Sequence, residues 1–200
     1  MISSLFSHLL RAIIPMRRTE ALVDALTTAD LERLRASDGL PYRNTSVCAL
    51  IWELKYNKNP QALALAGEFI AEELLGIAAE EIGTPLLIPV PMHAKRRRER
   101  GHNQTESLCK AALAHLGTTY EYAPEALARM RETVRQQGLP RRKRLTNVER
   151  SMEVIDAEKV RGRVCIVVDD VSTTGATLAE AARALRKAKA RRVYTVALAR

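Results

Sequence analysis

The first 45 residues carry the apolar and polar pattern of amphipathic helices. Apolar residues recur every three or four positions over residues 2–14, and again from about Glu20 to Ala36. A cluster of turn-forming residues around Gly39 ends the second pattern. The sequence therefore predicts a small helical appendage over residues 1–45, followed by one larger domain over residues 46–200.

Short apolar runs alternate with helical patterns in the rest of the chain. Helices are predicted from Ser46 to about Asn57, from Pro60 to about Glu81, and after Asn103, which is suited to cap a helix. Short strands are predicted between Thr119 and Glu132, and longer ones at Leu86 to Val90, Met152 to Ile155, Val164 to Val168 and Arg191 to Arg200. β-branched runs of this kind suit parallel strands that are buried on both faces. The pattern favours an α/β fold with a mostly parallel central sheet flanked by helices.

Two acids, several hydroxyl side chains and a glycine follow the strand that ends at Val168, just before a helical pattern that opens at Ala176. A turn at such a place aims backbone N–H groups and the positive end of a helix at one point, which suits a phosphate. The adjacent carboxylates of Asp169 and Asp170 suit sugar hydroxyls or a divalent cation. The implied ligand is a ribose phosphate. The alternative is that Asp170 or a nearby hydroxyl only caps the helix. The glycine patterns of dinucleotide-binding and P-loop sites are absent.

The formal net charge of +9 is concentrated in two segments. Lys95 to Arg100 has five bases and one acid, net +4, and Arg129 to Arg150 has eight bases and two acids, net +6. The first segment is predicted to be a basic loop after the strand Leu86 to Val90. Because the carboxyl ends of parallel strands meet at one edge, we expect this loop to lie beside the acid pair and to bind a pyrophosphate. The ordinary alternative is a solvated basic face.

The cysteines and the hydropathy of the chain indicate the cellular compartment. Cys48, Cys109 and Cys165 are far apart in apolar surroundings and lack zinc-binding spacing, which is typical of small core residues in a reducing compartment. No apolar run reaches the length of a membrane span, and no leader pattern precedes the first helix. We therefore expect a cytoplasmic protein.

The segment Val167 to Thr177, VVDDVSTTGAT, resembles the 5-phosphoribosyl-1-pyrophosphate (PRPP) motif of type I phosphoribosyltransferases. This resemblance implies that Asp169 and Asp170 are the catalytic pair, in contact with the ribose 2- and 3-hydroxyls. It also implies that the PRPP-binding segment continues through Val171, Ser172, Thr173, Thr174, Gly175, Ala176 and Thr177, with Thr173 to Thr177 around the 5-phosphate.

Two further segments are similar to the ComF family, which is associated with DNA uptake during natural competence. Its V-P-x-H and spaced-arginine pattern matches residues 90–104, with His102 in the place of the usual phenylalanine. The resemblance implies that pyrophosphate is bound by Lys95, Arg96, Arg98 and Arg100. A second pattern of the family matches Thr133, Gln136, Leu139, Arg144, Asn147 and Val148. The glycine, proline, polar amides and run of bases in this segment, which includes Arg141, predict a mobile basic loop. The family usually carries an N-terminal four-cysteine zinc ribbon, which is not expected here because residues 1–45 contain no cysteine.

Three functions stay open at this point. The resemblance implies an enzyme that uses Mg²⁺ and displaces pyrophosphate from C1 of PRPP with a nitrogen nucleophile. A non-catalytic PRPP-binding regulator and a DNA-uptake factor are the alternatives. Phe and Trp total only three residues, so any binding of single-stranded DNA is expected to be weak and salt-sensitive. The acceptor is not specified, and a homo-oligomer is neither required nor excluded.

Overall fold

The computed structural model describes residues 16–37, 39–131 and 148–200. The helix predicted over residues 2–14 lies outside these ranges. The single helix predicted from Glu20 to Ala36 is wrong, since two helices are found, α1 (Met16–Asp24) and α2 (Thr28–Leu34). Thr27 causes the break, because its hydroxyl accepts from the Asp30 N–H while the Asp30 carboxylate accepts from the Thr27 N–H.

The next two helices confirm the sequence prediction, with one irregularity. Asn44 caps α3 (Thr45–Trp52), and Asn59 caps α4 (Pro60–Ala79), whose first residue is a proline. Between them the chain continues as one π-helical turn (Glu53–Asn57), and Lys58 ends that turn in the left-handed conformation. Single π turns of this kind are rare and often occur at functional sites.

Four parallel strands form the central sheet, in the order β2-β1-β5-β6. They are β1 (Leu86–Pro89), β2 (Glu121–Tyr122), β5 (Val164–Val171) and β6 (Arg192–Ala199). A separate antiparallel ribbon pairs β3 (Leu127–Arg129) with β4 (Met152–Val154). The predicted strands are therefore confirmed, and so is the parallel sheet.

Four more helices connect these strands: α5 (Ala94–Arg100), α6 (Gln104–Leu113), α7 (Ala157–Val160) and α8 (Ala176–Lys187). Helix α5 corrects the prediction of a basic loop over Lys95 to Arg100. His93 caps its first turn, and Gly101 ends it with a positive φ of 76°. Strand β5 also continues beyond Val168, so Asp169 and Asp170 lie inside the strand rather than after it.

Apolar side chains cover both faces of the sheet. Ile166 and Val168 face a cluster built mainly from α1 to α4 and α6, whereas Cys165 and Val167 face the ribbon and α8. This two-sided burial explains the unbroken apolar run of β5. Helices α4 and α6 approach closely at Gly67, where an added Cβ would lie 2.6 Å from the Ala111 Cβ.

The N-terminal residues pack on the first of these faces. Val23, Leu31 and Leu40 are fully buried in its cluster. Leu40 also forms a parallel bridge with Ala199 in β6, through hydrogen bonds with Leu198 and Arg200. The predicted domain boundary after residue 45 stays a prediction. Within the described ranges, no helix combines the length and apolar character that crossing a membrane requires.

Candidate functional site

The acid pair and the basic segment lie at one edge of the sheet. Strand β1 pairs directly with β5 in parallel, and Pro89 is in register with Val168. The Val90 N–H then donates to the Val168 carbonyl at 2.8 Å, so the pairing continues one residue beyond the end of β1, to the position just before Asp169. This confirms the expected common edge.

Asp169 and Asp170 are almost fully buried at this edge, with 8% and 7% of their surface exposed. The Asp170 N–H donates to Asp169 Oδ1 at 2.9 Å, and the Val171 N–H donates to Asp170 Oδ1 at 2.7 Å. The other oxygen of Asp170, Oδ2, accepts from Gln104 Nε2 at 3.0 Å and forms an ion pair with Lys55 Nζ at 3.1 Å. Helix α6 and the π-helical turn therefore converge on Asp170.

These contacts give the two carboxyl groups different protonation behaviour. Burial, followed by the charge of Asp170, raises the pKa of Asp169 from its ordinary 3.8 to about 8. Burial acts on Asp170 in the same direction, but Lys55 and Gln104 outweigh it and hold the pKa of Asp170 below its ordinary value. Near neutral pH the pair therefore carries one negative charge, located on Asp170, and one proton, located on Asp169.

The turn after the acid pair leads into helix α8, where the Ala176 N–H donates to the Thr174 hydroxyl at 3.4 Å. Val171 to Thr177 line a small open depression. The Ser172 N–H donates to the Ala199 carbonyl at 2.9 Å, which ties the start of the turn to β6. Gly175 has a φ of 73° and occupies the N-cap of α8, where it has no side chain to accept a hydrogen bond. The first turn of a twelve-residue helix therefore faces this depression, as an anion site requires.

The four predicted pyrophosphate-binding cations do not point to one place. Lys95 and Arg98 are exposed, whereas Arg96 and Arg100 are half-buried and lie one helical turn apart on α5. Arg100 Nη1 donates to Gln104 Oε1 at 3.3 Å, on the side of Asp170. The positions of the mobile-loop residues Thr133, Gln136, Arg141, Arg144 and Asn147 lie outside the described ranges.

Arg129 is a residue that the sequence did not single out. Its Nε donates to the Pro91 carbonyl at 3.0 Å, which ties β3 to the segment after β1. Burial lowers the pKa of Arg129, while the charge of Asp169 opposes this effect and the charge of Arg96 adds to it. The charges of Arg96 and Asp169 therefore both act on the Arg129 guanidinium.

Lys55 was also missed, because a lysine in a helical pattern gives no signal of a contact with a distant strand. Gln104 belonged to a matched motif but had been given no role. Neighbouring Glu53 holds the turn that carries Lys55: its buried carboxylate accepts from the Thr19 hydroxyl at 2.6 Å and from Asn57 Nδ2 at 2.8 Å. Helix α1 is thereby joined to the segment that reaches Asp170.

The chain is similar to several known proteins. Residues 116–200 match the family described as phosphoribosyl transferase domain. The DNA utilization protein YhgH of Salmonella typhi is 30% identical over 154 residues, and that of Escherichia coli K12 is 31% identical over the same length. Competence protein F of Haemophilus influenzae is 30% identical over 115 residues. The chain belongs to the ComF family.

The matches cover different shares of this chain and of the relatives. The YhgH matches cover 76% of this ComF-family chain but 66% of the relatives, so the chain spans just under two thirds of their length. The match to competence protein F covers 57% of the chain and 49% of that protein. A solved structure described as the allosteric regulatory enzyme of purine biosynthesis has a TM-score of 0.44 and 20% identity, over 74% of this chain and 30% of that one. The ComF-family chain has the phosphoribosyltransferase-like α/β fold.

Proposed function

We propose that this protein binds PRPP together with Mg²⁺ and transfers the phosphoribosyl group to a nitrogen acceptor, with release of pyrophosphate. The observation that carries the proposal is the buried acid pair in β5, followed directly by the turn at the N-terminus of α8. These groups match the two chemically different parts of a ribose 5-phosphate. The free cysteines support the cytoplasm as the proposed location.

Each part of the site has a role in this proposal. The ionised Asp170 accepts hydrogen bonds from the ribose hydroxyls, and the protonated Asp169 can both donate and accept. The N–H groups at the start of α8 bind the 5-phosphate. The half-buried cations of α5, Arg96 and Arg100, bind the pyrophosphate next to the end of β1.

The residues fit a Mg²⁺ ion that arrives with the ligand. Across residues 16–37, 39–131 and 148–200, no three His, Cys, Asp or Glu side chains cluster as a metal centre. The ionised carboxylate of Asp170 near a pyrophosphate suits Mg²⁺, which is commonly bound by one or two carboxylates plus substrate phosphates. The chemistry that the ion supplies is neutralisation of charge on the leaving pyrophosphate.

Catalysis would be electrostatic and would need no protein nucleophile. The acceptor nitrogen forms a bond to C1 with its lone pair, the C1–O bond breaks, and that electron pair leaves on pyrophosphate. The acceptor's proton passes to water. Positive charge develops on the ribose, next to the negative Asp170, and negative charge develops near the cations of α5.

Calorimetric titration with PRPP, with and without Mg²⁺, tests the proposal. Replacing both Asp169 and Asp170 by Asn should abolish Mg²⁺-dependent binding, because the negative charge and the hydrogen bonds to the ribose are lost. The shape of the side chains is nearly unchanged, so the loss can be assigned to these two effects. The variant Glu20→Gln, at one exposed acid, is the control; it removes the same single negative charge, because Asp169 is already protonated, and should bind as wild type does. Unaltered PRPP affinity in the folded Asn variant would refute the site. Pyrophosphate release in a screen of nitrogen acceptors then separates an enzyme from a PRPP-binding regulator.

DNA binding is a second candidate function, which the names of the YhgH and competence protein F relatives favour. Lys95 and Arg98 are exposed on α5 and can contact phosphates. Such binding should weaken steeply with salt, by a slope of about −0.7 per phosphate contact on logarithmic axes for single strands. Fluorescence anisotropy of a labelled single-stranded oligonucleotide measures this slope. Replacing Lys95 and Arg98 by Ala should flatten it, and an unchanged slope would assign any DNA binding to another surface.

A further inference from the structure

The two ends of α8 face opposite edges of the central sheet. Its first turn follows the acid pair, whereas the segment after its last turn lies where β5 and β6 begin. There the Gly162 N–H donates to the Lys189 carbonyl at 2.9 Å, and the Arg191 N–H donates to the Arg163 carbonyl at 2.8 Å. These two adjoining segments, residues 161–163 and 186–192, are called the amino edge below. The twelve residues of α8 separate it from the acid pair by about 18 Å.

The amino edge carries a run of bases that the sequence did not single out. Arg186 to Arg192 contains five bases and no acid, net +5, which exceeds the net +4 of Lys95 to Arg100. The run is divided between the end of a helix, a turn and the start of a strand, so no single element displays it. All five of these basic side chains are exposed.

Most of this charge is not neutralised. The Glu81 carboxylate is shared by two arginines of the run, Arg191 at 3.1 Å and Arg192 at 2.6 Å. Among the residues that the structure describes, no side-chain ion pair or hydrogen bond is found for the other three bases, Arg186, Lys187 and Lys189. Bases in the last turn of a helix offset its negative end, which explains Arg186 and Lys187 in part. It does not explain the bases beyond the helix.

Lys189 occupies a backbone position that normally holds glycine. The Lys189 N–H donates to the Arg186 carbonyl at 3.0 Å, and the Ala190 N–H donates to the Leu185 carbonyl at 3.1 Å, which is the hydrogen-bond pattern of a Schellman motif. The φ of Lys189 is 66°, in the left-handed region that strains any residue with a Cβ. A lysine at this strained and exposed position favours a role for its side chain outside the fold.

The composition of the amino edge favours the backbone of a nucleic acid as its partner. Both segments consist only of arginine, lysine, glycine and alanine. The centre of a protein–protein interface is instead depleted in charge and enriched in aromatic side chains. Exposed bases spread over two adjoining segments suit a chain of repeated phosphates, and the lack of an aromatic ring excludes base stacking by these segments. Binding here would therefore not depend on sequence.

We infer that the amino edge is a binding surface for the phosphodiester backbone of DNA. The inference goes beyond the proposed function and does not rest on it, since the surface is remote from the proposed PRPP site and from the exposed bases of α5. The protein therefore binds DNA at the amino edge and PRPP at the opposite edge at the same time. Single-stranded and duplex DNA offer the same phosphates, and the two are distinguished by experiment.

The test uses the full chain with Lys95→Ala and Arg98→Ala, which removes the contribution of α5. Fluorescence anisotropy of a labelled oligonucleotide, single-stranded or duplex, is measured at several salt concentrations. We expect residual binding that weakens with salt and is unchanged by saturating PRPP and Mg²⁺. The form of DNA that binds more tightly identifies the natural ligand. Failure of PRPP to bind in calorimetry would refute the proposed function, while the salt slope would still decide this inference.

A pair of double variants in this background locates the surface. Lys187→Gln with Lys189→Gln should reduce the magnitude of the logarithmic salt slope by about 1.8 for duplex and about 1.4 for single-stranded DNA, because each phosphate contact contributes about 0.9 or about 0.7. The control is Arg18→Gln with Lys110→Gln, which removes two exposed positive charges from α1 and α6. It should leave the slope unchanged.

Lys189→Gly separates binding from folding. Glycine relieves the left-handed backbone, so the urea midpoint should rise, while the loss of one charge should lower the slope by one phosphate contact. A raised midpoint with unchanged DNA binding would show that Lys189 has no part in the surface.

Three results would overturn the inference. One is the absence of salt-dependent DNA binding when the α5 bases are removed, and another is the same slope in both folded double variants. The third is competition for the oligonucleotide by PRPP, or by polyglutamate at equal charge, since the first would place DNA at the opposite edge and the second would assign the surface to an acidic protein. Circular dichroism confirms that each variant is folded.

Discussion

Replacing Asp169 by Asn should stabilise the protein at alkaline pH. The Asp169 carboxyl is buried and protonated near neutrality, and its Oδ1 accepts from the Asp170 N–H. An Asn side chain has almost the same shape, can accept the same hydrogen bond and cannot ionise. The substitution therefore removes the cost of ionising a buried group and keeps the geometry.

The pKa of Asp169 fixes the sign and the size of this effect. Because folding raises the pKa from 3.8 to about 8, the stability linked to this group is complete below 3.8 and is lost as the pH rises through 8. The difference between the unfolded and the folded pKa corresponds to about 1.4 kcal/mol per pH unit, so the substitution can raise the free energy of unfolding by at most about 6 kcal/mol at pH 9. We expect a net gain of about 2 kcal/mol at pH 9, because the buried amide has a desolvation cost of its own, and a much smaller gain at pH 5.

The neighbouring substitution Asp170→Asn is the matched control, with the opposite sign. It removes the partner of Lys55 and should destabilise the protein by about 3 kcal/mol. Since the pKa of Asp170 is lowered in the fold, its contribution is present above the unfolded pKa and is lost only as the pH falls through the folded value. Urea unfolding at pH 5 and pH 9, followed by circular dichroism, measures both variants. Equal destabilisation by the two substitutions, or a gain for Asp169→Asn that does not depend on pH, would refute this account.

Three further substitutions test other parts of the structure. Lys55→Met should lower the free energy of unfolding by about 3 kcal/mol, because it leaves Asp170 without its cation. It should also weaken PRPP binding in the calorimetric assay described above. Additive effects on stability in the double variant with Asp170→Asn would contradict the pairing. Gly175→Ala should cost about 1 kcal/mol through its positive φ alone, since an added Cβ meets no atom within 4 Å, and a wild-type urea midpoint would count against this. Gly67→Ala should cost more, about 2 kcal/mol, by forcing α4 away from Ala111, so the reverse order of the two glycine variants would be inconsistent with the packing.

Local signals in the sequence were sufficient for much of the fold. The β-branched run of β5, the proline at the start of α4 and the cap at Asn103 each act within a few residues, so their predictions hold. Acids are rare in strands, which made Val168 look like the end of β5. The strand continues because Asp169 and Val171 pair with Ala197 and Ala199 of β6, a tertiary effect that the local pattern does not contain.

The charged residues show where sequence reasoning stops. Density of charge predicted a loop at Lys95 to Arg100, although arginine, lysine and glutamate are good helix formers and a helix is found. The common edge for the acid pair and this segment followed from parallel topology alone. The roles of Lys55 and Arg129 could not be predicted from topology, because each depends on one contact between residues that are far apart in the chain.

The junction between Thr19 and Glu53 has a practical consequence for the choice of expression fragments. A fragment that starts at residue 46, as the predicted boundary invites, would delete the hydroxyl that donates to the buried Glu53 carboxylate. It would also uncover the apolar side chains on which Val23, Leu31 and Leu40 now lie. The affected turn is the one that carries Lys55 and Tyr56, so trimming the N-terminus alters the ligand-facing edge itself. Binding data from such a fragment would describe a different pocket, and residues 16–45 belong in any fragment used to study this site.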